Sequence, residues 1–181
     1  SSFASIRRKL EHLCQKHSVV LVYPIAASKI VAHVDPRTGT EIRSRRSPRK
    51  GRLADVYIEL PHICGLLGRP GLSLELAMTA QREVRCADGK GSWRARGVSV
   101  VARELVEVLQ THRFSAPEDY LRLLPDGLPV EFTVAELAAA AGVSRSCAGK
   151  AAYALRRIGA VEKVGKRGNA FVYAATQAGE G

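Results

Sequence analysis

Phe132-Thr133-Val134-Ala135-Glu136-Leu137-Ala138 and, shortly after, Gly142-Val143-Ser144-Arg145-Ser146 decide the reading of the C-terminal third of this 181-residue chain. Thr133 is a good helix N-cap, and Glu136 stands three positions later, the reciprocal arrangement of a capping box. The spacing predicts a short alanine-rich helix over Val134 to Ala141. Gly142 supplies the turn after it. Ser144 is placed to cap a longer helix to about Ile158, with Ala148, Ala151, Ala152, Leu155 and Ile158 on its inner face. Gly159 stands where a helix C-terminus favours positive φ. Ala160 to Val164 then reads as a strand, Gly165-Lys166-Arg167-Gly168-Asn169 as a tight basic turn, and Ala170-Phe171-Val172-Tyr173 as the return strand.

A short helix, a glycine turn, a second helix and a basic hairpin, in that order over residues 116–175, resemble a winged helix-turn-helix. The resemblance implies that the second helix offers its N-terminal side chains to a major groove and that its N-terminus favours a phosphate. The candidate nucleic-acid contacts there are Ser144, Arg145, Ser146 and, one turn on, Lys150. The wing would carry Lys166 and Arg167 to phosphates or into a minor groove. Arg156 and Arg157 read as complements to the helix dipole. The Gly149-Lys150 face is small and weakly charged, so the resemblance supports general nucleic-acid contact better than sequence-specific readout. Winged helices also serve as interaction modules in larger assemblies, which is a further reading.

Upstream, Arg113-Phe114-Ser115-Ala116-Pro117 and Leu124-Pro125-Asp126-Gly127-Leu128-Pro129 interrupt the periodic pattern. The expected organisation is therefore a mixed α+β domain over residues 1–114, the winged-helix domain over 115–175 and a tail over 176–181. In the first domain Phe3, Ile6, Leu10 and Leu13 recur at helical spacing. Residues 18–23 and 29–34 read as two strands, with 40–45 as a hairpin partner beyond the Asp35–Gly39 turn. Leu53, Val56, Tyr57, Leu60 and Ile63 fit a helix that Pro61 ends. Leu72 to Thr79 alternates as a half-buried strand. Val101, Leu105, Val108 and Leu109 predict a helix over about 99–112. The expected fold class is α+β with a small, mainly antiparallel sheet.

Charge is the informative part of the composition. Lys and Arg number 28 against 17 acids, a formal +11. Such a chain most often meets a polyanion, and duplex DNA is the expected partner. Arg43, Arg45, Arg46, Arg49, Lys50 and Arg52 place six cations in ten residues with no acid among them. Such a run can track phosphates and make binding steeply salt-dependent. Trp93, the single tryptophan, lies between basic residues and reads as a core anchor with its N–H at the rim, or else as a base-stacking ring. Cys14, Cys64, Cys86 and Cys147 lack metal-ligand spacing and read as small buried hydrophobes in a reducing cytoplasm. No apolar run has membrane-spanning length, and Ser1-Ser2-Phe3-Ala4 leads at once into charge without a secretory pattern.

The expected function is nucleic-acid binding, as a regulator or as an accessory module of a DNA-processing system, without catalytic residues or cofactor. A homodimer or a larger assembly is compatible with it. The alternative is a Mg²⁺-dependent nuclease, because the expected order of elements is similar in topology to the restriction-endonuclease-like core. Its candidate carboxylates are Glu11, Asp35 and Glu41, with Arg43 where that core has a lysine. Nucleophile elbows, phosphate loops and dinucleotide fingerprints are absent from the sequence.

Overall fold

Local chemistry orders the C-terminal residues as their sequence predicts. The Thr133 N–H donates to Glu136 Oε2 at 2.7 Å, and the Glu136 N–H donates to Thr133 Oγ1 at 3.3 Å. This capping box opens helix Val134–Ala141, which ends at Gly142 in the left-handed region with φ 60°. The longer helix, Arg145–Ile158, begins with Ser144 accepting from the Cys147 N–H and ends at Gly159 with φ 94°. Two strands follow, Val161–Arg167 and Ala170–Ala175, and they pair antiparallel. The hairpin strand therefore runs on through Lys166 and Arg167, and the turn is confined to residues 168–169. The short strand Glu131–Thr133 adds to the far side of the return strand.

In a computed structural model that describes residues 2–176, the helices are α1 (Phe3–Leu13), α2 (Val134–Ala141) and α3 (Arg145–Ile158). The strands are β1 (Val19–Val34), β2 (Glu41–Arg46), β3 (Leu72–Cys86), β4 (Ser99–Phe114), β5 (Glu131–Thr133), β6 (Val161–Arg167) and β7 (Ala170–Ala175). The fold is α+β. The expected tail lies outside the described residues except for Thr176.

Contacts gather the chain differently from the chain-order division at residues 114–115. One compact unit takes the residues up to Val22, Leu53–Glu75 and those from Arg113 onward; the other takes Tyr23–Arg52 and Leu76–His112. The reason within the first unit is shared burial. α3 packs on α2 and also on two 3₁₀ segments, Leu53–Ile58 and Leu60–His62. The buried Tyr57 hydroxyl donates to the Leu123 carbonyl, and burial pushes that phenol up to about 12. The Phe3 N–H donates to Glu59 at 2.7 Å. Phe3, Tyr57, Leu60, Phe114, Tyr120, Phe132, Leu137 and Leu155 are all buried in this unit, and the Phe114 and Tyr120 rings lie 5.3 Å apart.

In the second unit the sheet order is β2-β1-β3-β4. β1 and β2 are antiparallel, with His33 opposite Arg43 and Val31 opposite Arg45. β1 and β3 run parallel: the Thr79 hydroxyl donates to the Ile25 carbonyl, and Lys29 meets Glu83 four residues further along both strands. β3 and β4 run antiparallel, since Arg82 meets Glu104 while Ser99 meets Asp88. The sheet is mixed: two of its three pairings are antiparallel, as expected of a mainly antiparallel sheet, and the central one is parallel.

Four expectations are corrected. Residues 99–112 form a strand and not a helix. The expected strands 18–23 and 29–34 are one continuous strand, β1. Leu53 to Ile63 forms 3₁₀ segments interrupted at Glu59, two residues before Pro61, which has no N–H to continue a helical ladder. Trp93 is 83% exposed and anchors no core.

Candidate nucleic-acid interface

α3 divides cleanly into two arcs. At about 100° per residue, Cys147, Ala148, Ala151, Ala152, Ala154, Leu155 and Ile158 fill one side; all are buried except the half-buried Cys147. The other side, roughly 140° wide on the same geometry, carries Arg145, Ser146, Gly149, Lys150, Tyr153, Arg156 and Arg157. All but the half-buried Gly149 are exposed. That arc holds four cations, one half-exposed aromatic ring and small residues; α3 contains no acid at all. Small residues are what a helix needs where it must approach a nucleic-acid groove closely. The Ser144 oxygen is committed to the Cys147 N–H at 3.2 Å, so its role is to hold the helix start.

Sequence reasoning placed Arg145, Ser146 and Lys150 on this surface but assigned Arg156 and Arg157 to the helix dipole and passed over Tyr153. The six polar, charged or aromatic residues of that arc, at helical spacing, were the available signal. The surface continues beside the C-terminal half of α3. A cleft of about 300 Å³ is lined by Arg7, Glu11, His62, Arg69, Tyr153 and Arg157 among others. Its single carboxylate, Glu11, accepts from Arg7 at 2.8 Å, so the cations of the cleft outnumber the uncompensated acids.

The hairpin carries a second cationic set. The Lys163 ammonium lies 3.3 Å from the Phe171 ring centre and the Lys166 ammonium 5.2 Å. Lys163 and Phe171 were not singled out in the sequence. Arg167, expected at the wing tip, donates to Glu136 on α2 at 2.7 Å, which ties the end of β6 to the capping box. The Thr133 N–H and hydroxyl, together with Arg167, hold the Glu136 carboxyl below its ordinary range.

In the second unit, Arg43, Arg45 and Arg46 lie on the exposed edge strand β2, and Arg49, Lys50 and Arg52 in the exposed segment after it. The Gly51 N–H donates to the Ala26 carbonyl at 2.8 Å, and a Cβ at Gly51 would stand 2.6 Å from that oxygen, so glycine is required for the return to β1. Strand alternation puts Arg43 and Arg45 on one face and Arg46 on the other. Desolvation, then the charges of Arg43, Arg85 and Arg45, lowers the His33 pKa, and Arg43 stands opposite His33 in the β1–β2 pairing. The β3–β4 connection adds Lys90, Arg94, Arg96 and the exposed Trp93, with the Arg94 guanidinium 5.3 Å from the Trp93 ring centre. Asp88, the acid of that connection, is occupied by the Lys90 N–H and the Ser99 hydroxyl.

The three carboxylates expected of a nuclease are each engaged. Glu11 pairs with Arg7. Asp35 accepts from the Arg37 and Thr38 N–H groups at 2.8 and 2.9 Å, a turn-forming arrangement that lowers its pKa. Glu41 is bound by Arg82. Among the described residues no three His, Cys, Asp or Glu side chains gather where a metal ion could sit. No helix of the described residues is long and apolar enough to cross a membrane.

Residues 1–115 match a family model described as a domain of unknown function, DUF8091. A protein of Treponema pallidum (strain Nichols), printed as uncharacterized, is 28% identical over 173 residues, 96% of this chain and 68% of that one. No solved structure matches.

Proposed function

The chain belongs to the DUF8091 family through residues 1–115, and from the surfaces described above we propose that it binds nucleic acid, duplex DNA in particular, through α3 and the β6–β7 hairpin. In this reading the C-terminal segment works as a winged helix-turn-helix, in a regulator or an accessory module of a DNA-processing system, and the cytoplasm is where it meets its polyanion. The observation that carries the reading is the exposed arc of α3: four cations, Tyr153 and a glycine, with no carboxylate on the helix. Guanidinium groups suit phosphates and guanine edges geometrically. The capped N-terminus of α3 adds partial positive charge at the end where Arg145 and Ser146 stand. Lys163 and Lys166, held against Phe171, supply the flanking contact that a wing makes to the backbone.

Fluorescence anisotropy of a labelled duplex tests it. Arg145→Glu with Lys150→Glu is expected to weaken binding by well over tenfold, because it removes two attractions and adds two repulsions at the phosphates. Lys16→Glu, an exposed charge change of the same sign on the first unit, is the control. Equal affinities for wild type, the α3 variant and the control would reject the assignment.

A further inference from the structure

β4 forms the end of its sheet. β3 pairs with one side of it, and among the described residues no strand pairs with the other. Monomeric proteins keep such edges short, bulged or charged, because the open row of N–H and C=O groups templates pairing. β4 is sixteen residues long instead. Val101, Leu105 and Leu109 are 53, 63 and 50% exposed along one face, and Val100, Val106 and Val108 are exposed along the other.

We propose that this edge pairs with β4 of a second copy of the chain, antiparallel, with Leu105 opposite its own counterpart. Register selects this pairing. Two identical antiparallel strands in one continuous sheet are related by a two-fold axis perpendicular to it. That axis keeps each side chain on its own face, so opposed residues must have the same parity. The central registers are then few. Centring on Arg103 opposes two arginines; centring on Glu104 or on Glu107 opposes two glutamates. Like charges directly opposite are destabilising. Centring on Val106 puts Glu107 against Leu105 and Arg103 against Leu109. Centring on Leu105 pairs Arg103 with Glu107 twice, Val101 with Leu109 twice, and Leu105 with itself. Over residues 101–109 on that face, this register matches each charge with its opposite and each large apolar side chain with another. Arg103 is 69% exposed even while it faces Glu83 of its own chain at 3.4 Å, which leaves open space around its guanidinium. The inference stands independently of nucleic-acid binding.

Sedimentation velocity across micromolar concentrations, with circular dichroism to verify folding, tests it. Wild type is expected to dimerise, and Leu105→Lys to dissociate at least tenfold more readily by setting lysine against lysine. Arg103→Glu and Glu107→Arg are each expected to weaken the dimer, and the double exchange to restore it, because the exchanged pair is complementary in this register alone. A wild type that stays monomeric, a dimer indifferent to Leu105→Lys, or a double exchange no better than its folded single variants would overturn the proposal.

Discussion

Glu83 shows what a single residue does in the second unit. Its carboxylate is buried, with Arg85 at 2.6 Å and Lys29 and Arg103 each at 3.4 Å. Burial alone would push the carboxyl up; the Arg85 and Lys29 hydrogen bonds and charges outweigh it, and the pKa ends below its ordinary value of 4.5. A depressed carboxyl contributes stability that is present above the unfolded-state value and is lost as pH falls through the folded one. The urea midpoint is therefore expected to fall as pH drops below about 4.5, an acid loss that Glu83→Gln reduces. At neutral pH the same substitution is expected to cost about 1–3 kcal/mol, leaving three cations with half their partner. A pH-independent difference between the two proteins would contradict this. Glu83 was not legible in the sequence, because only Arg85 is local and its other two partners lie 54 and 20 residues away. Trp93 fails for the same reason in reverse: its basic neighbours were visible and its exposure was not.

At the scale of elements, what is fixed within one turn was legible. Thr133, Glu136, Gly142, Ser144 and Gly159 all act on backbone three or four residues away, and the helices they bound have the expected limits. Thr133→Ala is expected to lower stability by about 1 kcal/mol in urea unfolding, since it removes the acceptor for the Glu136 N–H at the start of α2; no change would mean that α2 is held by tertiary packing alone. The strand β4 was misread because Val101, Leu105 and Leu109 are spaced by four. That spacing lines one face of a helix, and equally one face of a strand. The β-branched Val100, Val101, Val106, Val108 and Thr111 favoured the strand. With apolar residues exposed on both faces, no alternation remained to show it. Leu53 to Ile63 carried a sound apolar spacing, and its buried residues are the expected ones, yet the backbone took 3₁₀ form beside Pro61.

Across the whole molecule, the excess of 11 positive charges was legible as a statement about partners, and its arrangement was only half legible. The run at residues 43–52 was plain in the sequence, as were Arg145 and Lys150. The union of Arg156, Arg157 and Tyr153 with them required knowing which side of α3 the 3₁₀ segments cover. The gathering of residues before Val22, Leu53–Glu75 and the C-terminal stretch into one unit was not legible either, because it rests on contacts such as Tyr57 with Leu123 that join distant segments. The salt dependence of duplex affinity tests the central claim most directly, by anisotropy titration of wild type beside Arg145→Ala/Lys150→Ala. Log affinity is expected to fall linearly with log salt, with a slope of about −3 or steeper for wild type and shallower by roughly 2 for the double variant, near one counterion per lost cation. A slope near zero, or one unchanged by the two substitutions, would contradict the account.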